Sequence, residues 1–113
     1  MNAATCQKFE IRAVANGNTS TIHVDGHFCF ASYRCFSDTC TYILNKPDVA
    51  DIAIDLTNVH YMDTAALGML LILRDRTQSG GKSLTLVNPS VYANNVFDVT
   101  NFRTQFNIEM SHP

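Results

Sequence analysis

Asp55-Leu56-Thr57-Asn58-Val59-His60-Tyr61-Met62-Asp63-Thr64-Ala65-Ala66-Leu67-Gly68-Met69-Leu70-Leu71-Ile72-Leu73 is the stretch that decides how this chain folds. It begins at the end of Ile52-Ala53-Ile54-Asp55-Leu56, where the large apolar residues fall on one face, as in a strand with one buried side. A loop through Met62 is predicted next. Asp63 then stands immediately before an apolar run, the position of a helix N-cap. The spacing predicts a helix from Asp63 to Gln78, ended by Gly80-Gly81. From Ala65 to Leu73 this helix is apolar all round for more than two turns, whereas a helix lying on a sheet normally keeps a polar face. Part of it must face the sheet, and the rest must be covered by neighbouring helices or by a partner. Gly68 costs a helix interior about 1 kcal/mol relative to Ala, which a close approach of a helix or a partner would explain.

The pattern extends outward on both sides. Phe9-Glu10-Ile11-Arg12-Ala13 and Thr21-Ile22-His23-Val24-Asp25 alternate apolar with polar residues across the turn signal Asn16-Gly17-Asn18, which reads as a hairpin. Ala31 to Asn45 carries Phe36, Cys40, Ile43 and Leu44 at helical spacing and stops before Pro47. Ser83-Leu84-Thr85-Leu86 reads as a fourth strand. Asn88-Pro89-Ser90 is a turn and an N-cap opening a third helix to about Thr100, and Phe106-Asn107-Ile108 is a candidate last strand. The predicted order is β-β-α-β-α-β-α with a final β, an α/β fold with a mixed sheet of four to five strands. Strands that each keep a polar or small face imply a sheet covered mainly on one side. Right-handed crossovers make strands two to four parallel.

The chain has 113 residues, 46% hydrophobic and 16% charged, with net charge −2. Length and composition fit one domain over residues 1–113 and argue against disorder. Eight Lys and Arg, scattered along the chain, argue against a nucleic-acid groove or a membrane-surface helix. The apolar run at 65–73 is too short to span a bilayer. Met1 to Thr5 lacks the basic start and apolar core of a secretory signal, so a cytoplasmic protein is expected. Cys6, Cys29, Cys35 and Cys40 form no C-x-x-C pair, and in that setting four reduced thiols are expected. No metal set, glycine-rich phosphate loop or nucleophile–base pair stands out, so neither a cofactor nor an enzyme is expected. His23 and His27 are read as incidental.

Asp63 and Thr64 lie where free backbone N–H groups and the positive end of a helix dipole meet. Such a place tolerates added negative charge, including phosphate. From the residues alone Thr64 is a first-turn residue beside a capping acid.

Residues 55–68 resemble the signature of STAS domains, whose name joins sulfate transporters and anti-sigma factor antagonists. The pattern is an Asp-Leu-Ser-like strand end, a short loop, then D-[ST]-x-G-L-G opening a helix. Lys82-Ser83-Leu84-Thr85-Leu86-Val87-Asn88-Pro89 is similar to the strand and turn that follow, and the element order resembles the family's over essentially the whole chain. The resemblance implies a non-enzymatic regulator that works by partner switching. Thr64 would be the residue phosphorylated by a histidine-kinase-like ATPase that is a serine/threonine kinase and often the anti-sigma factor itself. A PP2C-type phosphatase would remove the phosphate. Asp63, Ala66, Leu67, Gly68, Met69 and Leu70 would lie at or near the partner-binding surface. The alternative within the family is a subunit of a phospholipid-transport ABC system that docks on the ATPase without phosphorylation. The resemblance does not decide between monomer and homodimer. Two positions depart from the pattern. Ala66 replaces the family's Gly, adding a methyl close to the Thr64 hydroxyl. Cys29 replaces an acid often found in the segment after the second strand, here Gly26-His27-Phe28-Cys29.

Overall fold

The computed structural model describes residues 8–110. Five strands and three α-helices alternate: β1 (Phe9–Asn16), β2 (Thr19–Phe28), α1 (Tyr33–Leu44), β3 (Asp51–Met62), α2 (Thr64–Ser79), β4 (Ser83–Val87), α3 (Val91–Thr100) and β5 (Ile108–Glu109). Short 3-10 turns, Phe30–Ser32 and Phe102–Gln105, precede α1 and follow α3. The strands lie in sequence order, with β1 antiparallel to β2 and every later neighbour parallel. Each crossover therefore steps in the same direction across the sheet. Right-handed crossovers in one direction set every helix on one face.

Burial agrees with that topology. Ile22 and Val24 of β2, Ile52, Ile54 and Leu56 of β3 and Leu86 of β4 are buried on the helix side. Between them His23, Asp55 and Thr85 stay half-exposed on the open side. The helices close the core with Phe36, Cys40 and Ile43 from α1, Leu70 and Leu73 from α2, and Ala93 and Phe97 from α3.

The hairpin forms where expected: Asn16 pairs with Thr19 across a two-residue turn, and Gly17 at φ +64° takes the left-handed conformation such a turn requires. Gly26 is constrained more tightly. Its φ is +93°, and a Cβ there would lie 2.0 Å from the Lys8 carbonyl oxygen, which accepts a hydrogen bond from His27 N.

Three boundaries differ from the sequence reading. The predicted loop at 57–62 is strand, because β3 runs on to Met62 through two register shifts against β2, between His23 and Asp25 and between Gly26 and His27. β3 carries an extra residue at each, so its buried positions pass from Ile52, Ile54 and Leu56 to Val59 and Met62, and the alternation that marks a strand is broken. The last strand is Ile108–Glu109 rather than 106–108, because Phe106 is drawn into a ring stack with Phe102, centroids 4.6 Å apart. The helix expected from Ala31 starts at Tyr33, after the 3-10 turn.

The expectation of four reduced thiols is corrected at Cys35, which is disulfide-bonded. Cys6 lies outside the described residues. Cys29 and Cys40 are free. The spacing of the cysteines did not disclose this bond, because pairing depends on which side chains the fold brings together.

Candidate functional site

The Asp55-Leu56-Thr57 triplet builds the approach to the site. Asp55 Oδ1 accepts from Thr57 N at 2.9 Å and Thr57 Oγ1 at 2.6 Å, closing a local turn at the first bulge of β3. The second oxygen of Asp55 meets His23 Nδ1 at 3.0 Å. These residues shape the strand and lie on the open face of the sheet, away from α2.

Asp63 follows β3 in an extended conformation and caps α2. Its Oδ1 accepts from Ala66 N at 3.0 Å, the N-cap bond expected from sequence. Its Oδ2 accepts from Phe30 N at 3.1 Å, a contact spanning 33 residues. One carboxylate thus fastens the turn after β2 to the head of α2. That turn is held from the other side by Ser32, which is buried: its Oγ donates to His27 O at 2.9 Å and accepts from Cys29 N at 3.3 Å. Cys29, in place of an acid, is the N-cap of this 3-10 turn, and its sulfur lies 4.0 Å from Ser32 Oγ.

Thr64 is the first residue of α2 and is exposed. Ala66 is fully buried, so its methyl points into the core and away from the solvent-facing side of Thr64. Leu70 is also fully buried, and Leu67 and Met69 nearly so. The family resemblance implied a place for these four at or near a partner-binding surface; their own side chains are buried in the core. The surface of α2 near Thr64 is instead the stripe Thr64, Gly68 and Ile72, at i, i+4 and i+8. Gly68 is half-buried and Ile72 is 55% exposed. Nothing lies within 4 Å of where a Gly68 Cβ would stand, so no neighbouring helix explains the glycine.

Two aromatic side chains border this stripe. Phe30 is 75% exposed, although its backbone is tied to Asp63, and Tyr33 is 51% exposed. Tyr33, Ser37, Met69, Ile72 and Arg76 line a groove between α1 and α2, with Cys40 at its floor. Arg76 bridges the two helices, donating from Nη2 to Thr41 Oγ1 at 3.1 Å. Burial pushes the Cys40 thiol up to about 12, only partly opposed by the Arg76 guanidinium. The thiol is therefore protonated and unreactive as a nucleophile at neutral pH. On the other flank of Asp63, the rings of His27, Tyr61 and Tyr92 form a row with centroid separations of 5.7 and 6.0 Å.

Phe30, Tyr33 and Ile72 are surface residues that the sequence reading missed. Ile72 sits inside the all-apolar run, where neighbours in sequence are indistinguishable by hydropathy. The only signal for Phe30 and Tyr33 is that they flank the start of α1 without belonging to its apolar stripe. Among the described residues no cluster of His, Cys, Asp or Glu has the arrangement to hold a metal ion. No helix among the described residues is long and apolar enough to cross a membrane.

A family model described as the STAS domain matches residues 10–113. A STAS-domain containing protein of Pseudomonas aeruginosa (strain UCBPP-PA14) is 33% identical over 94 residues, covering 83% of this chain and 91% of that protein. Among solved structures, an anti-sigma factor antagonist from Mycobacterium paratuberculosis superposes with a TM-score of 0.79 at 12% identity, over 89% of this chain and 85% of that one. The anti-sigma factor antagonist SpoIIAA in its unphosphorylated form superposes at 0.73 with 16% identity, over 92% and 88%. The Bacillus cell fate determinant SpoIIAA in its phosphorylated form superposes at 0.70 with 15% identity, over 92% and 91%. At these identities the structural likeness is one of fold.

Proposed function

The chain belongs to the STAS-domain family, and from that membership we propose that it is a non-enzymatic, cytoplasmic regulator of the anti-sigma factor antagonist type, switched at Thr64. Unmodified, it binds a histidine-kinase-like ATPase that acts as a serine/threonine kinase. That kinase phosphorylates Thr64 and the complex separates, and a PP2C-type phosphatase resets the domain. One observation carries the reading: Thr64 is solvent-exposed at the head of a helix stripe that continues through half-buried Gly68 to exposed Ile72, with the exposed rings of Phe30, tied to Asp63, and Tyr33, in the groove with Ile72. A hydroxyl accessible to a kinase thus sits at the rim of an apolar surface suited to a protein partner. That SpoIIAA has been solved both with and without phosphate supports the same switch in this fold.

The energetics separate fold from interface. A phosphate on Thr64 adds about −1.5 to −2 charges beside Asp63. The N-terminus of α2 offsets part of that, by roughly 0.3–1 kcal/mol. The folded domain therefore tolerates the modification. A partner seated on the stripe would have to desolvate an unpaired phosphate next to a carboxylate, at a cost on the order of several kcal/mol, more than a hundredfold in affinity.

The test is a titration of the cognate kinase-like ATPase against the wild type, Thr64→Glu and Thr64→Ala, with folding followed by circular dichroism. Thr64→Glu, a partial mimic, weakens binding, while Thr64→Ala retains binding and takes up no phosphate. Equal affinities for three well-folded proteins would overturn the switch and favour a constitutive docking subunit, as in a phospholipid-transport ABC system.

A further inference from the structure

β1 closes one side of the sheet, and its outer edge has no paired strand among the described residues. Two contacts establish which backbone groups face that edge. His27 N donates to Lys8 O at 2.7 Å, and Asn16 faces Thr19 across the two-residue turn. Hydrogen-bonded pairs alternate along an antiparallel ladder, so Glu10, Arg12 and Val14 direct their N–H and C=O groups to β2. Ile11, Ala13 and Ala15 present theirs outward. Exposed edges are usually blunted by shortness, proline, a bulge or charged side chains, and β1 carries only the last of these, Glu10 and Arg12. β5, at the other edge, is only two residues long, whereas β1 has eight residues, no proline and a continuous register with β2.

The charges on β1 are poorly matched within the chain. Glu10 stands opposite Asp25, an acid facing an acid. Arg12 stands opposite His23, whose Nδ1 is engaged by Asp55. Neither Glu10 nor Arg12 forms an ion pair among the described residues. A second copy supplies the missing partners. If two β1 edges pair antiparallel about a twofold axis at Ile11, Glu10 of each copy faces Arg12 of the other. Ile11 presents its backbone groups outward, so Ile11 against Ile11 is a hydrogen-bonded pair. The two Glu10–Arg12 pairs then fall at non-hydrogen-bonded positions, where side chains are closest. An axis at Arg12 would set Arg12 against itself, and one at Ala13 would set it against Val14. We propose that this chain self-associates through β1 in the register centred on Ile11, joining the sheets of two copies into one. α2 lies over β3 and β4, so the Thr64 surface stays free in the dimer. Strand pairing alone buries less than a standard interface, so the association is weak and grows with concentration.

Sedimentation of the full chain from micromolar to millimolar concentration tests this. The wild type shifts from monomer to dimer across that range. Ala13→Pro removes one outward N–H, leaves the β1–β2 bonds intact and abolishes the shift. Arg12→Glu and Glu10→Arg each raise the dissociation constant about tenfold or more, because two attractive cross-strand pairs become repulsive. An equal mixture of these two variants recovers dimerisation as a heterodimer, a result that misfolding of either would not produce. Thr64→Glu leaves self-association unchanged, so failure here does not touch the Thr64 switch. A wild type monomeric at every concentration, or a dimer indifferent to Ala13→Pro and Arg12→Glu, overturns the proposal.

Discussion

Asp63 divides its two carboxylate oxygens between two backbone amides, Ala66 N within its own helix and Phe30 N on the turn after β2. The first bond is local and legible from an acid standing before an apolar run. The second joins residues 33 apart and has no sequence signal. Asp63→Ala leaves both amides without these acceptors and should destabilise the domain by about 2 kcal/mol, the upper end for a lost N-cap. Asp63→Asn keeps one carbonyl oxygen for the cap and should cost less. Urea unfolding of the two variants checks the ranking, and an equal loss would mean that the cap bond to Ala66 carries little of the stability and the bond to Phe30 most of it. Ala66 makes the same point from the other direction. As a letter in a motif it differs from the family's Gly beside Thr64, but its methyl is buried against the core.

α2 divides one apolar run between core and surface. Its all-apolar run is mostly accounted for by burial at Ala66, Leu67, Met69, Leu70 and Leu73. The remaining stripe of Gly68 and Ile72 faces outward, continuous with Thr64. Gly68 separates stability from recognition. Open space surrounds the position of its absent Cβ, so Gly68→Ala should stabilise the domain by about 1 kcal/mol through helix propensity. The same methyl stands on the surface proposed to meet the partner and should weaken binding. Thermal unfolding and partner titration on this single variant measure the two effects; raised stability with unchanged affinity would remove Gly68 from the interface. β3 is the counter-case among the elements. Its extra residues at two register shifts break the period of two, so half of a twelve-residue strand reads as loop until its neighbour β2 is in place.

Across the whole molecule, the core lies between one face of the sheet and three helices, and Cys40 reports on its integrity. Cys40 is 2% exposed, and burial raises its thiol from 9.0 to about 12. The sign follows from proton binding: above the unfolded value the unfolded chain releases this proton while the folded chain keeps it. Stability from this group is therefore complete below pH 9 and declines as pH rises towards 12, by at most about 4 kcal/mol. Unfolding free energies measured from pH 8 upward should fall more steeply in the wild type than in Cys40→Ala. Parallel slopes would show that the thiol is not held protonated by the fold.

What the sequence by itself determined is the order of elements, the one-sided sheet, both helix caps at Asp63 and Ser90, and the place of Thr64 at the head of α2. All of these rest on interactions within a few residues or on a hydropathy period, which a linear string records directly. Ser90 caps α3 as read, accepting from Ala93 N at 3.1 Å. The tertiary structure alone decided which residues of the apolar run are core and which are surface, because that depends on where α1 and the sheet lie. It also tied Phe30 to Asp63, set Tyr33 in the groove with Ile72, placed Cys35 in a disulfide and left β1 unpaired on its outer side among the described residues, with Glu10 facing Asp25. Each of these depends on how the elements pack rather than on the residues next in sequence. Their energies depend on which strand neighbours which, and local propensity does not encode that.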